Sequence, residues 1–164
     1  AHAVAAETSR PVVIVDLDAH CGGGTASLVK GHPLIWHLDV STSNFDLYGD
    51  SERCEVDVIG DSVAYLPTVA ERLRKLDAAG EDFALCLYFA GMDPHEGCSF
   101  GGRAGITGEV LAERERIVFN WAAGRGMPVA FALGGGYSSA ALSRDRLVAL
   151  HRLTVVAAVG HGQS

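Results

Sequence analysis

Two carboxylates and an imidazole stand at alternate positions in Asp16-Leu17-Asp18-Ala19-His20, just after an apolar run and just before Cys21-Gly22-Gly23-Gly24-Thr25. Side chains alternate between the faces of a strand, so an extension that continues through His20 aims Asp16, Asp18 and His20 to one side. Carboxylate oxygens and an imidazole nitrogen suit a divalent metal, and the glycines let the backbone turn and leave room beside an ion. The same residues also read as an acidic strand end followed by a flexible turn. A second group, Phe89-Ala90-Gly91-Met92-Asp93-Pro94-His95-Glu96, again sets a carboxylate at the end of an apolar run and shifts the balance toward a site. Asp93 with Asp18 and His20 makes three ligands and leaves a coordination position for water, as catalytic zinc requires. Its plainer reading is a turn residue before proline, and His95 and Glu96 read as loop residues at a rim. A third run, Val129 to Leu133, ends in Gly134-Gly135-Gly136-Tyr137. Missing side chains there open a pocket and a phenol can donate a hydrogen bond into it, although glycine-rich strand ends also bind phosphates or simply turn.

Bringing three strand ends together requires a scaffold. The runs Pro11 to Asp18, Pro33 to Val40, Phe83 to Ala90 and Pro128 to Leu133 are near-continuously apolar, as strands of a parallel sheet buried on both faces are. Between them Leu66, Val69, Ala70, Leu73 and Leu76 recur with helical period, and Val110, Leu111, Ile117, Val118 and Trp121 follow a similar one. Thr107 fits the N-cap of the second helix with Glu109 in its first turn, and Ser143 caps a last helix through Leu147, Leu150 and Val155. Gly80 and Gly126 are stop signals. Ser41 to Gly60 is polar and turn-rich, and reads as an irregular functional loop. Strands alternating with helices predict an α/β fold, a parallel sheet with helices on both faces, in one domain over residues 1–164. In such a sheet the ligand crevice lies beyond the carboxyl ends of the strands, where all three groups fall.

Bulk properties narrow the function. With 48% hydrophobic residues the chain can bury a core. Its 20 acidic against 13 basic side chains give a formal charge of -7, which repels a nucleic-acid backbone, so no direct nucleic-acid partner is expected. No apolar run is long enough to span a bilayer, so no membrane partner is expected either. Cys21, Cys54, Cys86 and Cys98 form no C-x-x-C pair and read as reduced thiols of a cytoplasmic protein, although an even count also permits two disulfides. The start, Ala-His-Ala-Val-Ala-Ala, lacks methionine and soon enters a strand, as an excised piece would.

The order of these motifs resembles the histone deacetylase superfamily, which includes acetylpolyamine amidohydrolases and acetoin-utilisation proteins. The likeness spans nearly the whole chain, from D-x-D-x-H through His37-Leu38-Asp39-Val40 and A-G-M-D to Gly105-Ile106-Thr107 and L-G-G-G-Y. It implies an arginase/deacetylase-like three-layer sandwich, truncated at the N-terminus so that only its C-terminal half is present. It further implies that Asp18, His20 and Asp93 hold Zn2+, or Fe2+, which accepts the same ligands. Tyr137 then polarises the substrate carbonyl, and Gly22, Gly135 and Gly136 line the pocket. A structural K+ or Na+ would sit among Asp16, the main-chain carbonyls of Asp18 and His20, and the neighbourhood of His37 and Leu38. The implied reaction is hydrolysis of an N-acyl, typically acetyl, amide of a small amine or an acyl-lysine.

The family's general base is a histidine of a Gly-x-His-His element, and no His-His pair occurs here. His2, His32, His95, His151 and His161 lack its context and read as solvated or packed side chains. Without a positioned base the isolated chain is expected to be weak or inactive, and to associate with an N-terminal half or with a second copy of itself. Two other readings remain open: a metal-binding remnant or interaction module without catalysis, and a phosphohydrolase of the haloacid-dehalogenase type, whose strand-terminal D-x-D binds magnesium. His20 and the glycine-tyrosine end of the third run weigh against the last.

Overall fold

Val12-Val13-Ile14-Val15 is a run of β-branched residues, which favour the pleated, extended backbone, and it forms the central strand β1 (Val12–Asp16). The computed structural model describes residues 1–161, the side chain of His161 excepted. Helix α1 (His2–Thr8) precedes β1, and α2 (Gly23–Val29), β2 (Ile35–Ser41), β3 (Cys54–Val58) and α3 (Tyr65–Ala78) follow it. The chain continues through β4 (Leu85–Gly91), α4 (Gly108–Gly124), β5 (Val129–Gly134) and α5 (Arg144–His161). All four strand pairings are parallel, in the order β3-β2-β1-β4-β5.

Helices lie on both faces, although α1 and α2 cover the second only beside β1 and β2 and leave Phe89, Ala130 and Ala132 exposed on it. Val13, Val15, Cys86, Tyr88 and Ala90 pack with Val69 and Leu73 of α3, Leu111 and Val118 of α4 and Leu150 of α5, while Val12 and Ile35 pack on the other face with Ala5 of α1 and Val29 of α2. Thr107 accepts from the Val110 amide at the start of α4, Ser143 accepts from the Arg146 amide at the start of α5, and Gly80 and Gly126 carry the positive φ that ends α3 and α4.

The structure departs from the sequence expectations in four places. Inside the expected loop from Ser41 to Gly60, Cys54–Val58 is an edge strand. Its Glu55 and Asp57 disguise it, yet both bond Arg72 of α3, and charges on an edge discourage pairing with other sheets. The glycines at 23 and 24 begin α2 rather than extending a turn, because Asp46 accepts from the Gly24 amide. Strand β5 is not fully buried: it is the other edge, with Phe131 and Leu133 37% and 48% exposed. In α5 the buried position after Leu150 is Thr154, whereas Val155 is exposed.

Leu111 is wholly buried between α4 and the sheet. Leu111→Ala is expected to lower unfolding free energy by about 2–5 kcal/mol, read from urea denaturation.

Candidate metal centre

Sheet order reverses between β1 and β4, since β2 and β3 extend the sheet to one side of β1 and β4 and β5 to the other. Parallel sheets open a crevice at such a switch point, and the residues that follow these two strands are Asp18 and Asp93. The extended backbone stops at Asp16, whose Oδ1 accepts the Asp18 amide at 3.2 Å. That local turn decides which side chains meet. Asp18, His20 and Asp93 each offer a ligand atom, and the three atoms lie within 4.8 Å of one another. Nδ1 of His20 is 3.1 Å from both Asp18 Oδ1 and Asp93 Oδ2. Asp16 does not join them as strand alternation predicts, because the turn leaves it facing His37, 4.0 Å from Nε2, and Asp39.

Backbone amides fix each carboxylate. The His20 amide donates to Asp18 Oδ1 and the Ala19 amide to Asp93 Oδ1, both at 2.9 Å, so the Asp18–His20 turn is pinned to both ligand-bearing strand ends. Asp93 Oδ2 is buried and lacks a hydrogen bond, since the His20 ring approaches it outside bonding geometry. Burial, and next the charge of Asp18, push the Asp93 carboxyl up to about 7. A cation among the three groups would relieve both the repulsion and the unpartnered oxygen, so this donor set fits a divalent metal.

Gly135 has φ +59, and a Cβ there would lie 2.4 Å from Asp18 Oδ2 and from Asp93 Oδ1. It seals the back of the centre. Gly22 instead lies against Asp16 and His37 and donates to Asp39 Oδ2 at 2.7 Å, and Gly136 backs onto Leu147 and His151. Tyr137 is 42% exposed, its ring 6.2 Å from that of His20 and 5.5 Å from that of Phe100. Partial burial, then Asp93 and Asp18, raise its pKa, so the phenol keeps its proton and remains a donor.

An open cavity of about 470 Å³ leads to this point, lined by His20, Ser43, Phe45, Phe100, Gly101 and Tyr137. Phe45 and Phe100 were not singled out from the sequence; both sit in glycine- and serine-rich loops where a lone aromatic is the available signal. Their loops are tied together: Thr42 Oγ1 donates to the Gly101 carbonyl at 2.7 Å, and Arg103 donates to the Thr42 carbonyl at 2.6 Å. Ser139 joins the third loop by donating to the Gly97 carbonyl. A separate apolar cavity, lined by Ile14, Leu87, Phe89 and Ala132 among others, includes Asp16 but not the three-ligand cluster.

His2 and His32 stack edge to face, His95 accepts from the Gly97 amide, and His151 packs near Gly136; none belongs to the cluster, and the His161 side chain lies outside the described residues. All four cysteines are free and buried. Burial raises the pKa of both Cys21 and Cys98, which disfavours the reactive thiolate.

A sheet of this order with donors gathered at its switch point defines an α/β fold of the deacetylase kind, and solved structures share it. The crystal structure of an acetylpolyamine aminohydrolase from Burkholderia pseudomallei superposes with a TM-score of 0.69 at 17% identity, over 97% of this chain and 47% of that one. A homologue of the histone deacetylases from Aquifex aeolicus gives 0.67 at 16% identity, over 92% and 43%. In sequence, residues 1–153 match the family model of the histone deacetylase domain. The chain therefore belongs to the histone deacetylase family, which sets aside the haloacid-dehalogenase reading. An uncharacterized protein of Picosynechococcus sp. is 34% identical over 133 residues, and Histone deacetylase 2 of Arabidopsis thaliana 30% over 155 residues. These cover 77% and 86% of this chain, which in turn spans only 43% and 38% of them. No helix among the described residues is long and apolar enough to cross a membrane.

Gly135→Ala is expected to abolish divalent-metal binding in equilibrium dialysis while the far-ultraviolet circular dichroism stays that of the parent, because the added methyl meets both carboxylates first and the backbone strain at φ +59 is confined to one loop residue.

Proposed function

We propose that this chain carries the metal-holding part of a zinc-dependent amidohydrolase that removes an acyl group, acetyl foremost, from an amine, with Asp18, His20 and Asp93 as ligands. The observation that supports it best is the convergence of three donors, one of them a buried Asp93 oxygen without a hydrogen bond. A bound zinc, or ferrous iron in its place, lowers the pKa of its water toward about 7 and polarises an amide oxygen. Asp18 and Asp93 supply negative charge and His20 a neutral nitrogen. Tyr137 holds its proton and donates to the amide oxygen as that oxygen gains charge. Phe45 and Phe100 wall the approach with apolar surface, which suits the alkyl stem of an acylated polyamine or an acyl-lysine.

A monovalent ion fits less well. At position 37 a buried imidazole stands near Asp16, its Nε2 without a partner, where an alkali cation prefers oxygen. No step is assigned to it.

The sequence holds no His-His pair of the kind that carries the family's general base, and the chain spans less than half of its relatives' length. We therefore assign full activity to an assembly in which an N-terminal half, or a second copy, completes the site, in the reducing cytoplasm that four free thiols suit. The same missing base favours a second reading, a metal-binding module without turnover.

Elemental analysis of the purified protein is expected to find about one zinc or iron per chain, and none in Asp93→Ala. Metal in neither protein overturns the reading, and metal without hydrolysis in the completed assembly favours the module. In that assembly Tyr137→Phe is expected to cut turnover by about a hundredfold or more, and near-normal turnover removes the phenol from its role.

A further inference from the structure

Arg114 lies inside α4 with no exposed side-chain surface. A charge in such a place is retained only when its donors are used. One terminal nitrogen, Nη1, donates to the carbonyls of Leu17 at 3.1 Å and Gly91 at 2.7 Å and lies 3.2 Å from the Tyr65 hydroxyl. On its other side the guanidinium donates to Glu115 Oε1, which also accepts from the Tyr88 hydroxyl at 2.9 Å. The two carbonyls occupy matching places. Leu17 immediately precedes Asp18, and its amide makes the last bond from β1 to β4, onto the Phe89 carbonyl. Gly91 ends β4 two residues before Asp93, and the next amide, of Met92, bonds Gly134 of β5. Beyond these points the ladder stops and the backbone turns to present the carboxylates.

Resting on the reading that Asp18, His20 and Asp93 hold a metal, we propose that Arg114 is a positioning residue for that metal, its guanidinium clamping the ends of β1 and β4 and so fixing the separation of Asp18 and Asp93. A ligand pair on two strands has its spacing set by how those strands diverge after their last shared bond. A single planar group bonded to both carbonyls removes that freedom. Lysine does not replace it, because an ammonium lacks the fork that reaches both carbonyls while facing Glu115. Glu115 holds the fork in its plane and Tyr65 meets Nη1 from α3, so two helices and the ends of two strands converge on one clamp behind the centre.

The test compares the parent with Arg114→Lys and Tyr88→Phe; the latter disturbs the same buried network without releasing either carbonyl. Zinc affinity is read by competition with a chromogenic chelator, ligand geometry by the visible bands of the cobalt-substituted protein, and stability by the melting point of the metal-free protein. Arg114→Lys is expected to weaken zinc binding by about 10–100-fold and to alter the cobalt bands. Tyr88→Phe is expected to lower the melting point while leaving zinc affinity within about twofold and the bands unchanged. Parent-like affinity and bands in Arg114→Lys overturn the clamp, as does an equal loss of affinity in Tyr88→Phe. If Arg114→Lys does not fold, the paired change Arg114→Gln with Glu115→Gln removes both charges together and is read on the same scale. If neither folds while Tyr88→Phe does, the role is structural and the proposal falls. A parent that binds no zinc overturns the underlying metal assignment itself, and is told apart because it fails before any variant is compared.

Discussion

Four carboxylates, those of Asp16, Asp18, Asp39 and Asp93, are buried to within 9% exposure at the ends of three neighbouring strands. Like charges repel strongly where water is excluded, and the structure around the strand ends is organised to tolerate them. Each receives a backbone amide: Asp18 to Asp16, His20 to Asp18, Gly22 to Asp39 and Ala19 to Asp93. Burial still pushes Asp16 up to about 8, with Asp39 the next contributor, and Asp93 up to about 7. The requirement for close backbone approach explains glycine at 22, 91 and 135, where a methyl would meet Asp16, Asp18, or Asp18 and Asp93 together. The amides give each carboxylate one donor but leave Asp93 Oδ2 without one and the groups crowded together, and that remainder is what a divalent ion would balance.

The strand order converts this local problem into a shared one. Because β1 and β4 are neighbours, Asp18 and Asp93, 75 positions apart in the chain, face each other across a single strand spacing. The loops that leave β2 and β4 then supply the cavity walls, and β5 supplies Gly135 and Tyr137. Chemistry at the centre therefore depends on four of the five strands.

Much of this was legible from residue types. Apolar runs identified four strands, since a parallel strand buried on both faces has no polar alternation to confuse it. The ligand set was legible because carboxylate, imidazole and glycine recur at strand ends, and the family likeness ordered them. Strand β3 was hidden because its charged side chains are satisfied by Arg72, a partner 15 and 17 residues away that no local pattern reveals. Asp16 was grouped with the wrong neighbours because a side-chain bond to the Asp18 amide ends the strand two residues early. Arg114 and Glu115 carried a signal that went unread: between Leu111 and Val118 they occupy the apolar stripe of α4, where a charge needs an interior partner.

The bonds that tie Thr42 to Gly101 and Arg103 also have an entropic consequence. Phe45 and Phe100 belong to different loops, and with independent loops a molecule entering between the rings would have to order two segments. Stapled at their bases, the loops start with much of that order in place, so the binding free energy that would otherwise go into immobilising them is available for contact with the ligand. Selectivity at this entrance should then follow shape, since walls held in register accommodate poorly to a stem of different width.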